Sequence, residues 1–157
     1  MLKLMADFAS RFNARINLDE KFVLKKDNKY FLLNNELKKL ISKDFFYAGE
    51  YLGKTRKGRF FPSFNLLRMI AQVEANKISV NEKAAWLFIC GRDIFRQGIV
   101  KVVGSNEKGD YTLILNHHGE CLGFGMIQRH LYGKGNEVSV RNILDIGDFL
   151  RRESSTY

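Results

Sequence analysis

Four cations, Lys54, Arg56, Lys57 and Arg59, fall within six residues that also contain Gly58, and Tyr51, Phe60 and Phe61 flank the run. Cations neutralise phosphates and aromatic rings offer faces on which bases stack, so this interleaving suits single-stranded nucleic acid. It equally suits docking to an acidic protein surface, or a solvated loop whose rings turn inward. A second basic feature is the adjacent pair Arg151 and Arg152. Guanidinium groups grip phosphate oxygens bidentately and stack on bases, which makes the pair a candidate for holding a single strand. The alternative is a solvated helix end favoured by the helix dipole. Arg92 and Arg96 stand close to Gly91 and Gly98, and Arg129 and Lys134, with His130, would have to come alongside to enlarge a patch around Arg151.

Catalytic constellations do not assemble from the remaining residues. Gly49 to Thr55 resembles a phosphate-binding loop, but only Glu50, Tyr51 and Leu52 separate its glycines, where four residues are needed, and no helix start follows Lys54-Thr55. The three histidines are His117, His118 and His130; Asn116 to Glu120 reads as a turn, and adjacent histidines on a strand would face opposite ways. Cys90 and Cys121 are far apart in apolar surroundings and read as buried reduced thiols, with a bridge as the minority alternative. No enzyme activity, metal or cofactor is expected.

The elements that must position these residues follow from charge and periodicity. The net charge is +9; residues 1–77 hold sixteen Lys/Arg against eight Asp/Glu, and residues 78–157 hold ten against nine. Such an excess attracts polyanions, whether nucleic acid, an acidic membrane or an acidic protein, or serves solubility alone. Asp7 near the N-terminus and the lack of a long apolar run argue against a signal peptide and against a membrane helix. Met5, Phe8, Ala9 and Phe12 recur at helical spacing and predict a helix over 3–14, its outer face carrying Arg11 and Arg15. Phe22 to Leu24 and Tyr30 to Leu33 predict a hairpin, Asn35 a cap for a short helix ending near Ile41, Phe45 to Leu52 an extended segment, and Pro62 to Val73 a helix with proline in its first turn. Beyond Lys77 the pattern predicts strands at 84–89, 99–103, 111–115, 121–127 and 137–144, a short helix over 92–97 and a closing helical turn over 145–152. The fold class is α+β: an N-terminal α/β domain, 1–77, and a small β-barrel, 78–157, that abut near Lys77–Asn81 without a compositional linker and with few contacts crossing between them.

Gly91 to Val100, Leu122 to Gly125 and Leu144 to Arg152 resemble the ordered signature of a PUA domain, the RNA-binding barrel named after pseudouridine synthases and archaeosine transglycosylases. With Gly53-Lys54 and Phe60 added, the chain resembles the Nip-seven family, PUA proteins of large ribosomal subunit biogenesis and their archaeal relatives. The resemblance implies a PUA-type barrel, a non-catalytic role on pre-rRNA with a preference for single-stranded, uridine-rich RNA, and partners in a pre-ribosomal particle or among RNA-processing proteins. It places the matching C-terminal segment, with Arg151 and Arg152, on a basic RNA-binding surface, although no further lysines follow Arg152. A monomer without membrane contact is expected, cytoplasmic in an archaeal source and nucleolar in a eukaryotic one. Two other functions stay open: a PUA-bearing enzyme or accessory subunit of tRNA or rRNA modification, and an adaptor that docks an acidic partner through the basic N-terminal lobe. Independently of the name, Gly98 and Gly147 are expected as left-handed caps. Gly123 and Gly125 remove side chains from a strand, either for a ligand's backbone to approach or to bend a curved barrel.

Overall fold

A computed structural model of the protein describes residues 1–41, 47–133, 135–148 and 151. Helix α1, Leu2–Ser10, forms because Met5, Phe8 and Ala9 put one apolar stripe against the core. It ends earlier than the periodicity predicts: a turn follows, Asn13 adopts φ 53°, and Phe12 is buried from that turn instead of from the helix. Strands β1, Val23–Lys26, and β2, Lys29–Leu32, make the expected hairpin, with Asp27 left-handed in its turn. Helix α2, Asn35–Leu40, is capped one residue earlier than expected, by the Asn34 side chain accepting from the Leu37 N–H at 2.8 Å. Phe45 and Phe46, part of the expected extended stretch, lie outside the described residues. Strand β3 runs Glu50–Arg56 and turns through Lys57 (φ 50°) and Gly58 (φ 72°) into β4, Arg59–Pro62. Two left-handed residues match the twist of a tight hairpin, so the basic run becomes a β-hairpin and not a loop. The sheet order is β1-β2-β3-β4, antiparallel throughout. Pro62 ends β4 instead of opening the next helix; Ser63 caps α3, Phe64–Gln72, by accepting from the Leu66 N–H at 3.2 Å.

The second sheet contains β5, Lys77–Val80; β6, Ile94–Phe95; β7, Ile99–Val103; β8, Tyr111–Leu115; β9, Cys121–Ile127; and β10, Val138–Asp145, in the order β6-β10-β9-β8-β5-β7. The β5–β8 pair is parallel and the other pairs are antiparallel. Two expectations fail here. The apolar run 84–89 is not a strand but lies in helix α4, Glu82–Ile89, because the Asn81 side chain accepts from the Ala84 N–H and the helix formers Glu82 to Ala85 follow it. The segment 92–97 is not a helix: Ile94-Phe95 pair with β10, and a single 3-10 turn, Arg96–Gly98, leads into β7. Lys77–Asn81, the expected junction, is strand β5 and the cap of α4.

Gly98 and Gly147 do not take the left-handed conformation expected of them. Gly147 instead lets the Ile89 carbonyl come close, and Gly98 sits against Ala84. The neighbouring strand answers the question left open at Gly123: its φ is +147°, and a Cβ there would collide with the Leu144 carbonyl of β10. The glycine admits the sheet's own backbone, and a side chain at that position is strained by about 1–3 kcal/mol even before the collision.

The main apolar cluster crosses from one sheet region to the other. Met5, Phe8 and Phe12 pack with Leu52, Leu66, Leu67 and Ile70 on one side and with Leu113 and Phe124 on the other. Phe8, Phe12, Tyr111 and Phe124 meet edge-to-face or tilted at centroid distances of 5.0–6.1 Å. A second cluster, including Ile78, Phe88, Ile94, Ile114 and Val140, fills the curled sheet. Polar bonds pin the end of α1 to the barrel: the Asn76 and Tyr111 N–H groups donate to the Phe12 and Arg11 carbonyls at 2.7 and 2.8 Å. The Asn13 amide donates to Ser105 at 2.6 Å and to Asp110 at 3.2 Å, and Asn76 also reaches Asp110 at 3.5 Å.

Candidate nucleic-acid interface

Alternation along β4 decides what the basic hairpin presents. Phe60 turns inward onto Phe8 and Tyr30, with ring centroids 5.5 and 6.1 Å apart, and its ring fits only because Gly53 leaves the facing strand bare. Phe61 therefore turns outward, 43% exposed, directly across from Lys54. Beside them lies an open cleft of about 960 Å³ between the first lobe and the barrel, within the size range of small-ligand sites. The first lobe lines it with Arg11, Tyr47, Tyr51, Lys54, Arg59, Phe61 and Asn65, and the barrel with Tyr111, Phe124, Leu144 and Asp148.

Charge and rings alternate within this cleft. The Arg11 guanidinium lies 3.6 Å over the Tyr111 ring and donates to the Tyr111 hydroxyl, so it is held at the junction of the two lobes. Tyr47, 59% exposed, stacks tilted or edge-on with Phe31 and Tyr51 at 5.3 and 6.3 Å. Burial and then the neighbouring Tyr47 push the Tyr51 phenol above its ordinary value. Asp7 and Asp148 add carboxylate acceptors. Flat rings, fixed cations and acceptors together can hold a planar heterocycle and an attached anionic group.

The residues singled out by sequence are divided between several places. Of the hairpin cations, Lys54 and Arg59 line the cleft, while Arg56 and Lys57 are exposed at the hairpin tip. Arg92 is exposed; Arg96 is half-buried with its guanidinium near Gly133 and Gly135. Arg129 forms a surface ion pair with Glu137 at 2.9 Å. Arg151 is tied into the barrel: it pairs with the buried Asp145 at 2.7 Å and donates to the Ile89 carbonyl at 2.7 Å. The hydrogen bond it gives to Asp145 raises its pKa. Arg152 and Lys134 lie outside the described residues. Cys90 is exposed, not buried as expected, because it is the C-cap of α4; Cys121 is partly buried, and both are free thiols. His117 and His118 lie in the expected turn, with ring centroids 3.7 Å apart. Among the described residues no group of three His, Cys, Asp or Glu is placed to hold a metal.

Sequence reasoning missed Tyr47, Tyr111 and the place of Arg11 in this cleft. A signal was present in α1, where Leu4, Asp7, Phe8 and Arg11 recur at helical spacing as a second stripe beside the buried one, and all four line the cleft.

The model of the UPF0113 PUA domain family matches residues 76–154, half of the chain. The chain belongs to the UPF0113 PUA domain family. A UPF0113 protein of Archaeoglobus fulgidus is 28% identical over 113 residues, 69% of this chain and 64% of its own length, so the match spans just under two thirds of that relative. Two solved structures share the fold over nearly the whole chain. A conserved PUA domain protein from Thermoplasma acidophilum has a TM-score of 0.62 at 22% identity, covering 97% of this chain and 93% of its own. A PUA domain from Aeropyrum pernix, solved as a tartrate complex, has a TM-score of 0.61 at 20% identity, covering 99% and 88%. The curled sheet β5–β10 is thus the PUA part of a UPF0113 protein. Among the described residues no helix is long and apolar enough to cross a membrane.

Proposed function

We propose that this UPF0113 protein is a non-catalytic RNA-binding factor of large ribosomal subunit biogenesis that engages single-stranded pre-rRNA, as the resemblance to the Nip-seven family implies. The observation that carries the reading is the union of a PUA barrel with a first lobe that holds nearly all the excess positive charge and projects Arg56 and Lys57 from a hairpin beside exposed rings. Long-range attraction to phosphate comes from that lobe, and the barrel supplies the RNA-binding module. Arg92, Arg96, Arg129 and Arg151 remain barrel-side candidates for phosphate, with Arg151 already holding the C-terminal turn. A protein interface within the particle is a second reading, favoured by Trp86 at 65% and Val100 at 71% exposure on the barrel.

Two measurements test the proposal. Crosslinking in cells followed by sequencing of the bound RNA is expected to enrich precursors of the large-subunit rRNA, and enrichment of tRNA alone would overturn the ribosomal reading. The purified chain is expected to bind single-stranded RNA with affinity that falls steeply as salt rises, because bound cations release counterions. Absence of binding at low salt would reject RNA as the partner.

A further inference from the structure

We propose that the cleft between the lobes is the base-reading part of the RNA site: it takes an unpaired nucleotide, with the base against Tyr47, Tyr51 and Phe61 and the phosphate among Lys54, Arg59 and Arg11. This rests on the RNA-binding reading above and adds to it the place where the unpaired base is held.

Four observations converge. First, Phe61 and Tyr47 leave 43% and 59% of their surface in solvent, while their neighbours Phe60 and Phe31 are packed inside. Rings left open beside a cleft are stacking platforms, and every base has a face to offer them. Second, each open ring stands beside a polar group of the kind a nucleotide needs. Lys54 is the cross-strand partner of Phe61, and the Tyr51 ring, which carries a hydroxyl, stands 6.3 Å from that of Tyr47. Third, Arg11 lines the same cleft and is already oriented by Tyr111, so little side-chain freedom is lost when it meets a phosphate. Fourth, Asp7 and Asp148 line the same space. A carboxylate repels a bare polyphosphate or an acidic peptide but accepts hydrogen bonds from the N–H groups on a base edge, which favours a nucleotide over a purely anionic occupant. A paired base has its edge occupied and its faces stacked within the duplex, so only unpaired RNA can use these rings.

The test uses the full chain and a fluorescein-labelled oligouridylate, read by anisotropy at low salt. Phe61→Ala and Tyr47→Ala remove exposed rings, and circular dichroism confirms that the variants fold. Each is expected to weaken binding by about tenfold or more. Tyr132→Ala, an equally exposed aromatic outside the cleft, is expected to leave affinity unchanged. A duplex of the same length is expected to compete poorly. Oligouridylate carrying a photoreactive base is expected to crosslink to the cleft peptides.

Wild-type protein that binds no RNA would overturn the functional proposal itself. Wild-type protein that binds RNA while Phe61→Ala and Tyr47→Ala bind equally well would overturn the cleft alone and return recognition to the barrel arginines. Equal competition by hexaglutamate would show a site for anions rather than bases, and would also overturn it.

Discussion

Desolvation pushes the Cys121 thiol up to about 11, outweighing the opposite pulls of the Gly123 backbone hydrogen bond and of Arg68, whereas Cys90 stands exposed at the end of α4. The two thiols should therefore react very differently. At about pH 8 an alkylating reagent should modify Cys90 quickly and Cys121 at least about tenfold more slowly, with the difference vanishing in denaturant. Equal rates in the folded protein would show that Cys121 is not protected. Burial also sets a pH dependence of stability. The folded thiol keeps its proton above the ordinary value of 9.0, so the unfolded chain ionises first; the contribution is fully present below about 9 and is lost as pH rises toward about 11. Local sequence hid this distinction because both cysteines sit in apolar strings. It also hid the anchoring of Arg151, whose partner Asp145 is six residues back but buried by strands from elsewhere in the chain.

Elements were legible where their periodicity was unambiguous. The hairpin β1–β2, strands β7, β8 and β9, and the helical stripe of α1 all follow from apolar spacing and turn residues. The run Ala84-Ala85-Trp86-Leu87-Phe88-Ile89 did not, since a short apolar string fits strand and helix alike, and only the Asn81 cap separates the two. Strand β5 was missed because its alternation is only four residues long. The helix α1 matters beyond its own lobe, because it covers Leu113 and Phe124 of the barrel. A fragment beginning at residue 75, which keeps Asn76 and all of β5, uncovers both side chains, each worth about 1.5–3 kcal/mol of burial. It should unfold at a lower urea concentration than the intact chain and bind more apolar dye. An unchanged midpoint would show that α1 adds nothing to the barrel.

At the scale of the whole molecule, the asymmetric charge was readable from composition, but the cleft was not, because its walls come from α1, β3, β4, the start of α3 and β8–β10. The charge makes its own prediction. Replacing Lys54, Arg56, Lys57 and Arg59 by alanine should flatten the dependence of log affinity on log salt by about 0.7 for each phosphate no longer neutralised, with little change in melting temperature since exposed cations add little stability. An unaltered slope would place the phosphate-binding cations elsewhere. The bonds from Asn76, Tyr111 and Asn13 that fasten the end of α1 to the barrel also set a kinetic character for the cleft. Its two walls are joined by backbone as well as side chains, so no hinge has to close and no minor open state has to be selected before a molecule enters. On the proposed reading, association there is rigid docking, governed by how often an incoming strand arrives in the right orientation, and residence is governed by how quickly its base slips off the rings.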